Sequence, residues 1–264
     1  MFKWPRFAYK TISLIKEVGK YNIPNQAREK SRLLSKDFYE NFCPKFWINV
    51  EIKFSQKTRK QYPEITKAIE NYTKTWELSK ILPLLWLWNH QAFGIEAFWA
   101  YNIFPSNWRI VLKNELAENF FLQKWIQAID PIVLHRWESW AWEVRNSNII
   151  NTISDNNPVL VYPEGTRSKD WEIRWFNYKN YQAWYNIITD SQNEISSKVA
   201  IITADTMKVL PQTLEKTLLW MWNVNPWTIT YTIDIVYASL YDNIRSFNKD
   251  IKDIIIWNLQ KEKS

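Results

Sequence analysis

Two periods of hydrophobic positions alternate along the chain and predict its strands and helices. Apolar or alternating runs predict strands within residues 46–54, 81–88, 107–116, 130–136, 158–168, 198–204 and 228–238. Helical spacing predicts helices within residues 63–80, 118–129, 141–156, 180–191 and 242–264. Because strands that alternate with helices build a covered sheet, the pattern predicts an α/β fold, a mixed, largely parallel sheet flanked by helices. The last predicted strand alternates polar and apolar side chains, which is typical of an edge or antiparallel strand.

The N-terminal part of the chain is predicted to differ from the remainder. Residues 1–75 are rich in lysine and arginine and indicate a basic, helical or mixed region. Residues 76–264 are expected to form the α/β domain, and no repeat or low-complexity linker separates the two parts. One compact unit is therefore expected.

Charge and apolar content narrow the classes of function. The net charge of +7 and pI of about 9.2 favour an anionic partner such as nucleic acid, a membrane surface or a phosphorylated substrate, although many proteins are mildly basic without a specific reason. The lone Cys43 excludes an intrachain disulfide and fits a reducing compartment. The most apolar stretch, residues 81–104, is interrupted by Pro83 and Glu96, so no transmembrane helix is expected. Residues 1–20 lack the apolar core and cleavage site of a secretory signal.

The counts of tryptophan and glycine are abnormal. The chain has 18 Trp and 3 Gly, whereas glycine makes up about 7% of ordinary proteins. An α/β domain needs many turns, and glycine is the residue that adopts positive φ there. We hypothesise that many of these tryptophans are glycines in the natural protein, because the codon UGA is read as Trp in some bacterial codes and as Gly in others. An authentic aromatic surface for membranes or nucleic acid is the alternative.

His90 is the first candidate for acid–base chemistry. It follows an apolar run and Asn89, and Glu96 lies six residues later. A histidine at the end of a strand acts as a general base when a carboxylate orients its ring and stabilises the imidazolium. A polar residue that merely ends a strand is the alternative. His135 ends another strand and is interpreted as structural, with Arg136 the more interesting neighbour.

The second candidate site is the turn Tyr-Pro-Glu-Gly-Thr-Arg after the strand near residue 158. Gly165, which follows Glu164, permits close approach of the backbone to a ligand, and Thr166 and Arg167 supply donors suited to phosphate. An ordinary strand-to-loop turn is the alternative. The sequence contains no G-x-S-x-G nucleophile motif, no His/Cys cluster with metal-ligand spacing and no Gly-rich phosphate loop.

Four motifs in series resemble those of the glycerolipid acyltransferases, the PlsC-like family of lysophosphatidate acyltransferases. They are the start of NHxxxxD at Asn89-His90, K-x-E-L at Lys113–Leu116, a strand-ending arginine at Arg136, and F-P-E-G-T-R-S at Tyr162–Ser168. The resemblance extends over roughly residues 80 to 210, and the fourth motif is the most specific.

One position departs from the family pattern. The family's aspartate lies five residues after the histidine, where this chain has Ile95, and Glu96 follows. A shift of one residue rotates a side chain by about 100° around a helix axis. We expect Glu96 to substitute for the aspartate, and reduced or lost activity is the alternative.

The resemblance implies an enzyme of phospholipid biosynthesis. A fatty acyl group would pass from acyl-CoA or acyl carrier protein (acyl-ACP) to the hydroxyl of a lysophosphatidate-like glycerophospholipid, without a metal or bound cofactor. His90 would be the base, oriented by Glu96. The residues implied to bind substrate are Arg136, Glu164, Gly165, Thr166, Arg167 and Lys113.

Charge adds an expectation about location. The basic N-terminal third is expected to hold the enzyme on an anionic membrane surface, cytoplasmic and peripheral on the inner face. A catalytically impaired lysophospholipid-binding relative is one alternative. A nucleic-acid-binding protein is another, but it leaves the four ordered motifs unexplained, so no nucleic-acid partner is expected.

The codon hypothesis has a direct test. We expect the codons for Trp137, Trp171 and Trp175 to be UGA, because the family that the motifs resemble usually has glycine at position 171 and commonly has it at position 137. Sequencing the coding DNA and measuring the intact mass of the protein from its natural host check this. UGG codons at all three positions would refute the hypothesis.

Overall fold

One mixed sheet organises the part of the chain that the structure describes. This computed structural model describes residues 4–46, 48–75, 79, 81–89, 107–118, 123–135, 141–165, 173, 176, 178, 181–189, 197–205 and 227–261. Its strands are β1 (Ile48–Phe54), β2 (Leu85–Trp88), β3 (Arg109–Lys113), β4 (Ile132–Leu134), β5 (Val159–Val161), β6 (Lys198–Asp205) and β7 (Trp227–Tyr237). They lie in the order β1-β7-β6-β2-β5-β3-β4.

Helices precede, connect and follow these strands. They are α1 (Trp4–Val18), α2 (Pro24–Asp37), α3 (Gln56–Gln61), α4 (Pro63–Thr75), α5 (Asn114–Ala117), α6 (Gln123–Ile129), α7 (Ala141–Ser154), α8 (Gln182–Thr189) and α9 (Ile244–Lys261). Short π and 3-10 turns occupy Phe38–Phe42, Cys43–Phe46 and Ala238–Leu240. None of the helices in the described ranges is long and apolar enough to cross a membrane.

The sheet is largely parallel, as the sequence predicts. Neighbouring strands pair in parallel except β6 and β7, which pair antiparallel. The antiparallel interpretation of residues 228–238 is therefore confirmed, but the edge position is wrong, because β7 lies between β1 and β6. Strand β1, from the basic N-terminal region, forms one edge of this same sheet.

Side chains alternate between two hydrophobic cores on opposite faces of the sheet. In β2, Trp86 and Trp88 face a core built with α1, α2, α4 and α6. Leu85 and Leu87 face the other core, built with α7, α8 and α9. Because both faces of β2 are covered, the strand is a continuous apolar run rather than an alternating one. The result is three layers, with helices on both faces of the sheet.

Polar contacts attach the N-terminal helices to this framework. The Arg28 guanidinium on α2 donates a hydrogen bond from Nη1 to the Ile129 carbonyl, at 2.9 Å, where α6 ends. Trp125 Nε1 on α6 donates to Ser31 Oγ at 3.3 Å. Ser31 and Trp125 are both buried. The N-terminal helices are thus part of the layer that covers one face of the sheet.

Most of the tryptophans whose burial the structure describes lie in the cores. The buried ones are Trp86, Trp88, Trp108, Trp125 and Trp184, and Trp257 is 65% exposed. Within the described ranges, positive φ outside glycine occurs at Asp130 and Asn156, so no described tryptophan has the backbone that favours glycine. Trp125 lies inside α6, within the helix predicted over residues 118–129.

The three tryptophans named for the codon test, Trp137, Trp171 and Trp175, lie outside the described residues. The codon hypothesis therefore stays a prediction.

A buried polar seam, defined by Thr58, Thr203, Asp234 and Asn258, joins α9 to the sheet. Asn258 Nδ2 donates to Asp234 Oδ2 at 2.7 Å and to Thr203 Oγ1 at 3.1 Å. Thr58 Oγ1 lies 3.4 Å from Asp234 Oδ1 and accepts from the Ile235 amide at 3.0 Å. Of the polar positions that made β7 look like an edge strand, Asp234 is therefore buried and hydrogen-bonded to α9, and Thr230 and Thr232 are also buried. This is how a buried carboxylate is tolerated.

Substituting the seam asparagine should destabilise the protein. In Asn258→Ala the buried Asp234 carboxylate loses its Asn258 donor, and an unsatisfied buried group costs about 1–3 kcal/mol. Urea unfolding followed by circular dichroism measures the loss. The control is Gln260→Ala on the exposed side of the same helix, expected within about 0.5 kcal/mol of wild type. Equal unfolding free energies for the two variants would contradict the prediction.

Candidate active site at the carboxyl edge of the sheet

The carboxyl ends of β2, β5, β3 and β4 meet at one edge of the sheet, because these four strands are neighbours and parallel. Strand β2 pairs with β5 as far as Leu87 opposite Val161. Strand β3 pairs with β4 as far as Lys113 opposite Leu134. In open α/β sheets, ligands bind outside the carboxyl ends of the strands. The motif-bearing segments therefore leave the sheet where a ligand site is expected.

Asn89 lies at the end of the central strand and is completely buried. Its Nδ2 donates to the Ala204 carbonyl at 3.0 Å, and its Oδ1 accepts from the Ala204 amide at 2.7 Å. Its own backbone N–H donates to the Ile202 carbonyl at 3.3 Å. These bonds extend the pairing of β2 with β6 by one residue beyond Trp88. Asn89 directly precedes His90 in the sequence.

The chain leaves β5 through a tight turn. The Gly165 amide donates to the Tyr162 carbonyl at 3.0 Å, which closes a four-residue turn with Pro163 and Glu164 at its centre. Gly165 has φ of 65°, in the left-handed region where glycine carries no steric penalty. Glu164 is only 8% exposed. The glycine of the sequence motif is thus required by the backbone of this turn.

Lys113 and His135 lie at the same edge of the sheet. Lys113 is the last residue of β3 and directly precedes α5. His135 is the first residue after β4, and both side chains are partly exposed. Of the residues predicted to act on substrate, the structure therefore places Lys113, Glu164 and Gly165 at one edge of the sheet.

The remaining predicted site residues, His90, Glu96, Arg136, Thr166 and Arg167, lie outside the described residues. The pairing expected between His90 and Glu96 accordingly stays a prediction. The described residues Asn89, His135 and Gly165 directly precede His90, Arg136 and Thr166 in the sequence.

Aromatic side chains pack beneath this edge. The Trp88 ring contacts the Tyr162 ring with centroids 6.2 Å apart and meets the Tyr231 ring edge to face at 5.3 Å. Trp88 and Tyr231 are fully buried, and they belong to the core that the N-terminal helices cover. Such aromatic pairs contribute about 0.5–1.5 kcal/mol beyond their buried area. The ends of β2 and β5 are therefore joined by this aromatic contact in the core as well as by the hydrogen bonds between the strands.

Two buried polar residues were not identified as site residues from the sequence. The sequence indicated Asn89 only as the first residue of the NHxxxxD motif, directly before His90. Arg145 on α7 is 1% exposed, and burial lowers the pKa of its guanidinium to about 10. Its Nη2 donates to Asn146 Oδ1 at 2.7 Å. Nothing in the local sequence pattern around Arg145 signals its burial.

One cavity in the described part of the chain lies away from this edge. It has a volume of about 840 Å³ and lies between β1, β7 and α9, with Lys53, Asp234, Asp253 and Trp257 among its lining residues. Of the predicted site residues that the structure describes, none lines this cavity. Among the described residues, no group of three or more His, Cys, Asp or Glu side chains could hold a metal ion.

Comparison with known families identifies the class of domain. Residues 69–192 match the family model described as Acyltransferase. This segment contains every predicted site residue, from His90 to Arg167. Within this segment, the resemblance deduced from the four motifs is confirmed.

One solved structure shows how far the similarity of fold extends. The chain is similar to the 1-acyl-sn-glycerophosphate (LPA) acyltransferase PlsC from Thermotoga maritima, with a TM-score of 0.62 and 14% sequence identity. The match covers 95% of this chain and 87% of that protein. No curated protein sequence matches the chain significantly. The PlsC-like α/β fold is thereby confirmed beyond the segment matched by the family model.

The turn glycine gives a test of this edge. Gly165→Ala should lower the free energy of unfolding by about 1–2 kcal/mol, because alanine is strained at positive φ. Gly165→Asn should lose less, since asparagine tolerates the left-handed region. Urea unfolding of both variants measures the difference. Equal losses would show that backbone conformation is not what selects glycine at this turn.

Proposed function

We propose that this protein transfers a fatty acyl group from acyl-CoA or acyl-ACP to the hydroxyl of a lysophosphatidate-like glycerophospholipid. The observation that supports this most strongly is the common edge at which β2, β3, β4 and β5 end. Each of these four strands leads into one of the four acyltransferase motifs. Because the four motifs serve one reaction, we expect the acyl donor and the acceptor to meet at this edge.

In the proposed mechanism His90 is the general base. It removes the proton from the acceptor hydroxyl as that oxygen attacks the thioester carbonyl. The tetrahedral intermediate collapses to the new ester and releases the carrier thiol, which takes up a proton. General-base assistance contributes about 10²–10⁴-fold. Glu96 orients the imidazole and stabilises the imidazolium, in the role of the family's aspartate.

The acceptor phosphate is proposed to bind at the ends of β3, β4 and β5. Arg136 and Arg167 supply charge-assisted hydrogen bonds, which are about twice as strong as neutral ones. Lys113 contributes a further positive charge from the end of β3, where the structure places it. Thr166 donates from beside Gly165, and the buried Glu164 helps to fix the shape of this turn.

We propose a cytoplasmic location, peripheral on the anionic inner face of a membrane. Helices α1 and α2 and the connection between them expose apolar side chains, with Tyr9 75%, Ile23 54% and Leu33 42% exposed. Lys16 and Lys20 are exposed near the end of α1. Each Lys or Arg near an anionic surface contributes about 1 kcal/mol. Apolar side chains beside lysines suit contact with a lipid interface.

A second function is favoured by one observation, the acid that is displaced from residue 95 to residue 96. If Glu96 does not reach His90, the protein binds lysophospholipid without turnover. This alternative retains the phosphate-binding turn and predicts binding of lysophosphatidate with no acyl product.

Substitution of the base tests the proposed function. His90→Ala should abolish transfer of a radiolabelled acyl group from acyl-CoA or acyl-ACP to lysophosphatidate, while the circular dichroism spectrum stays that of wild type. His135→Ala is the matched control, because it removes the chain's other histidine from the same edge of the sheet. It should retain activity within a few-fold.

Turnover retained in His90→Ala would refute the catalytic role of the histidine. An inactive wild-type protein that binds lysophosphatidate would support the lipid-binding alternative.

A further inference from the structure

We infer that Asn89 is a positioning residue: its side-chain amide, bonded to both backbone groups of Ala204, fixes the point from which the chain continues to His90. The inference rests on the proposed function, because it assigns Asn89 a role in placing the proposed base. It goes beyond that function in naming a residue that acts through another residue and touches no reacting atom.

The Asn89 carboxamide takes the place of a backbone peptide group in the hydrogen-bond ladder between β2 and β6. Strand β2 pairs in parallel with β6, ending with Trp88 opposite Ile202. The Asn89 backbone then donates to the Ile202 carbonyl. Its side chain next closes a reciprocal pair with Ala204, as donor at 3.0 Å and acceptor at 2.7 Å. The ladder between β2 and β6 is thereby continued by a side chain.

This contact is well placed to control a neighbouring residue. Strand β2 has only four residues, so its backbone ladder alone gives its end few bonds. Asn89 is completely buried, and Ala204 is too. Because water is excluded there, the Asn89 carboxamide strongly prefers its hydrogen bonds with Ala204 to an unpaired arrangement. A base must be held close to its productive position, because a displacement of about 1 Å costs on the order of 10²-fold in rate.

The chemistry of the contact explains the residue type. A donor and an acceptor must be presented together to the N–H and C=O of one residue, and the carboxamide is the compact side chain that carries both. An aspartate of the same shape would set a carboxylate oxygen against the Ala204 carbonyl in place of a donor. Alanine would leave both Ala204 backbone groups without these partners.

The experiment compares three variants in the full chain: Asn89→Asp, Asn89→Ala and Asn258→Ala. The last is the matched control, because Asn258 is also a buried asparagine that bonds to β6, through Thr203, but it comes from α9 and does not precede a motif. Values of kcat and KM are measured with acyl-CoA or acyl-ACP, whichever the wild type uses, and lysophosphatidate in phospholipid vesicles. Unfolding by urea is measured on the same samples.

The expected result is a separation of kcat from KM. Both Asn89 variants should lower kcat by on the order of 10²-fold, with KM for lysophosphatidate changed by less than about threefold, since the phosphate-binding ends of β3, β4 and β5 are intact. Asn258→Ala should lose stability but keep kcat within about twofold of wild type. The acyl product should remain the same in every variant that retains activity.

Three outcomes would overturn the inference. A folded Asn89→Ala or Asn89→Asp variant with wild-type kcat shows that the contact does not position the base. An equal loss of kcat in Asn258→Ala shows that loss of stability alone explains the effect. A wild-type protein that transfers no acyl group overturns the proposed function as well as this inference. This outcome differs from the first two, in which the wild type is active.

Hydrogen exchange provides a measurement that does not depend on folded variants. In the wild type the Ala204 amide, whose acceptor is the Asn89 side chain, should exchange as slowly as the amides of central β6. Fast exchange at Ala204 with slow exchange at Ile202 would show that the side-chain ladder is not formed in solution, and would overturn the inference.

Discussion

The pairing of β2 with a parallel strand on each side is the interaction on which the rest of this structure depends. Strand β2 is short and buried on both faces, and it holds β5 on one side and β6 on the other. Because the pairs are parallel, the carboxyl ends of these strands and of β3 and β4 share one edge. The edge exists only because residues distant in sequence are paired in this order.

Polar groups inside the fold are tolerated where hydrogen bonds replace water. The Asn89 amide completes the ladder of β2 with β6, and the polar seam satisfies Asp234 under α9. Both contacts attach to β6, at the neighbouring residues Ala204 and Thr203, whose side chains face opposite sides of the sheet. Strand β6 therefore connects the candidate active site on one side with the anchoring of the C-terminal helix on the other.

Much of the fold could be predicted from local patterns, and the misses have physical causes. Residues 107–116 were expected to form a strand that runs into a loop, but β3 ends at Lys113 and a helix starts directly at Asn114. Apolar spacing alone could not separate the two in so short a run. The alternation in β7 was compatible with an edge position, yet Thr230, Thr232 and Asp234 are buried. Local sequence does not reveal which helix will cover a polar strand face.

The sequence by itself determined the α/β class, the four ordered motifs and the turn glycine, because hydrophobic period and backbone conformation are local properties. Gly165 could be recognised as a turn residue before its φ was known. Only the tertiary structure decided the strand order, the burial of Asn89 and its bonds to Ala204, 115 residues away. Such contacts depend on which strands become neighbours, and that choice is made by the packing of two cores against one sheet. No local sequence pattern determines which strands become neighbours.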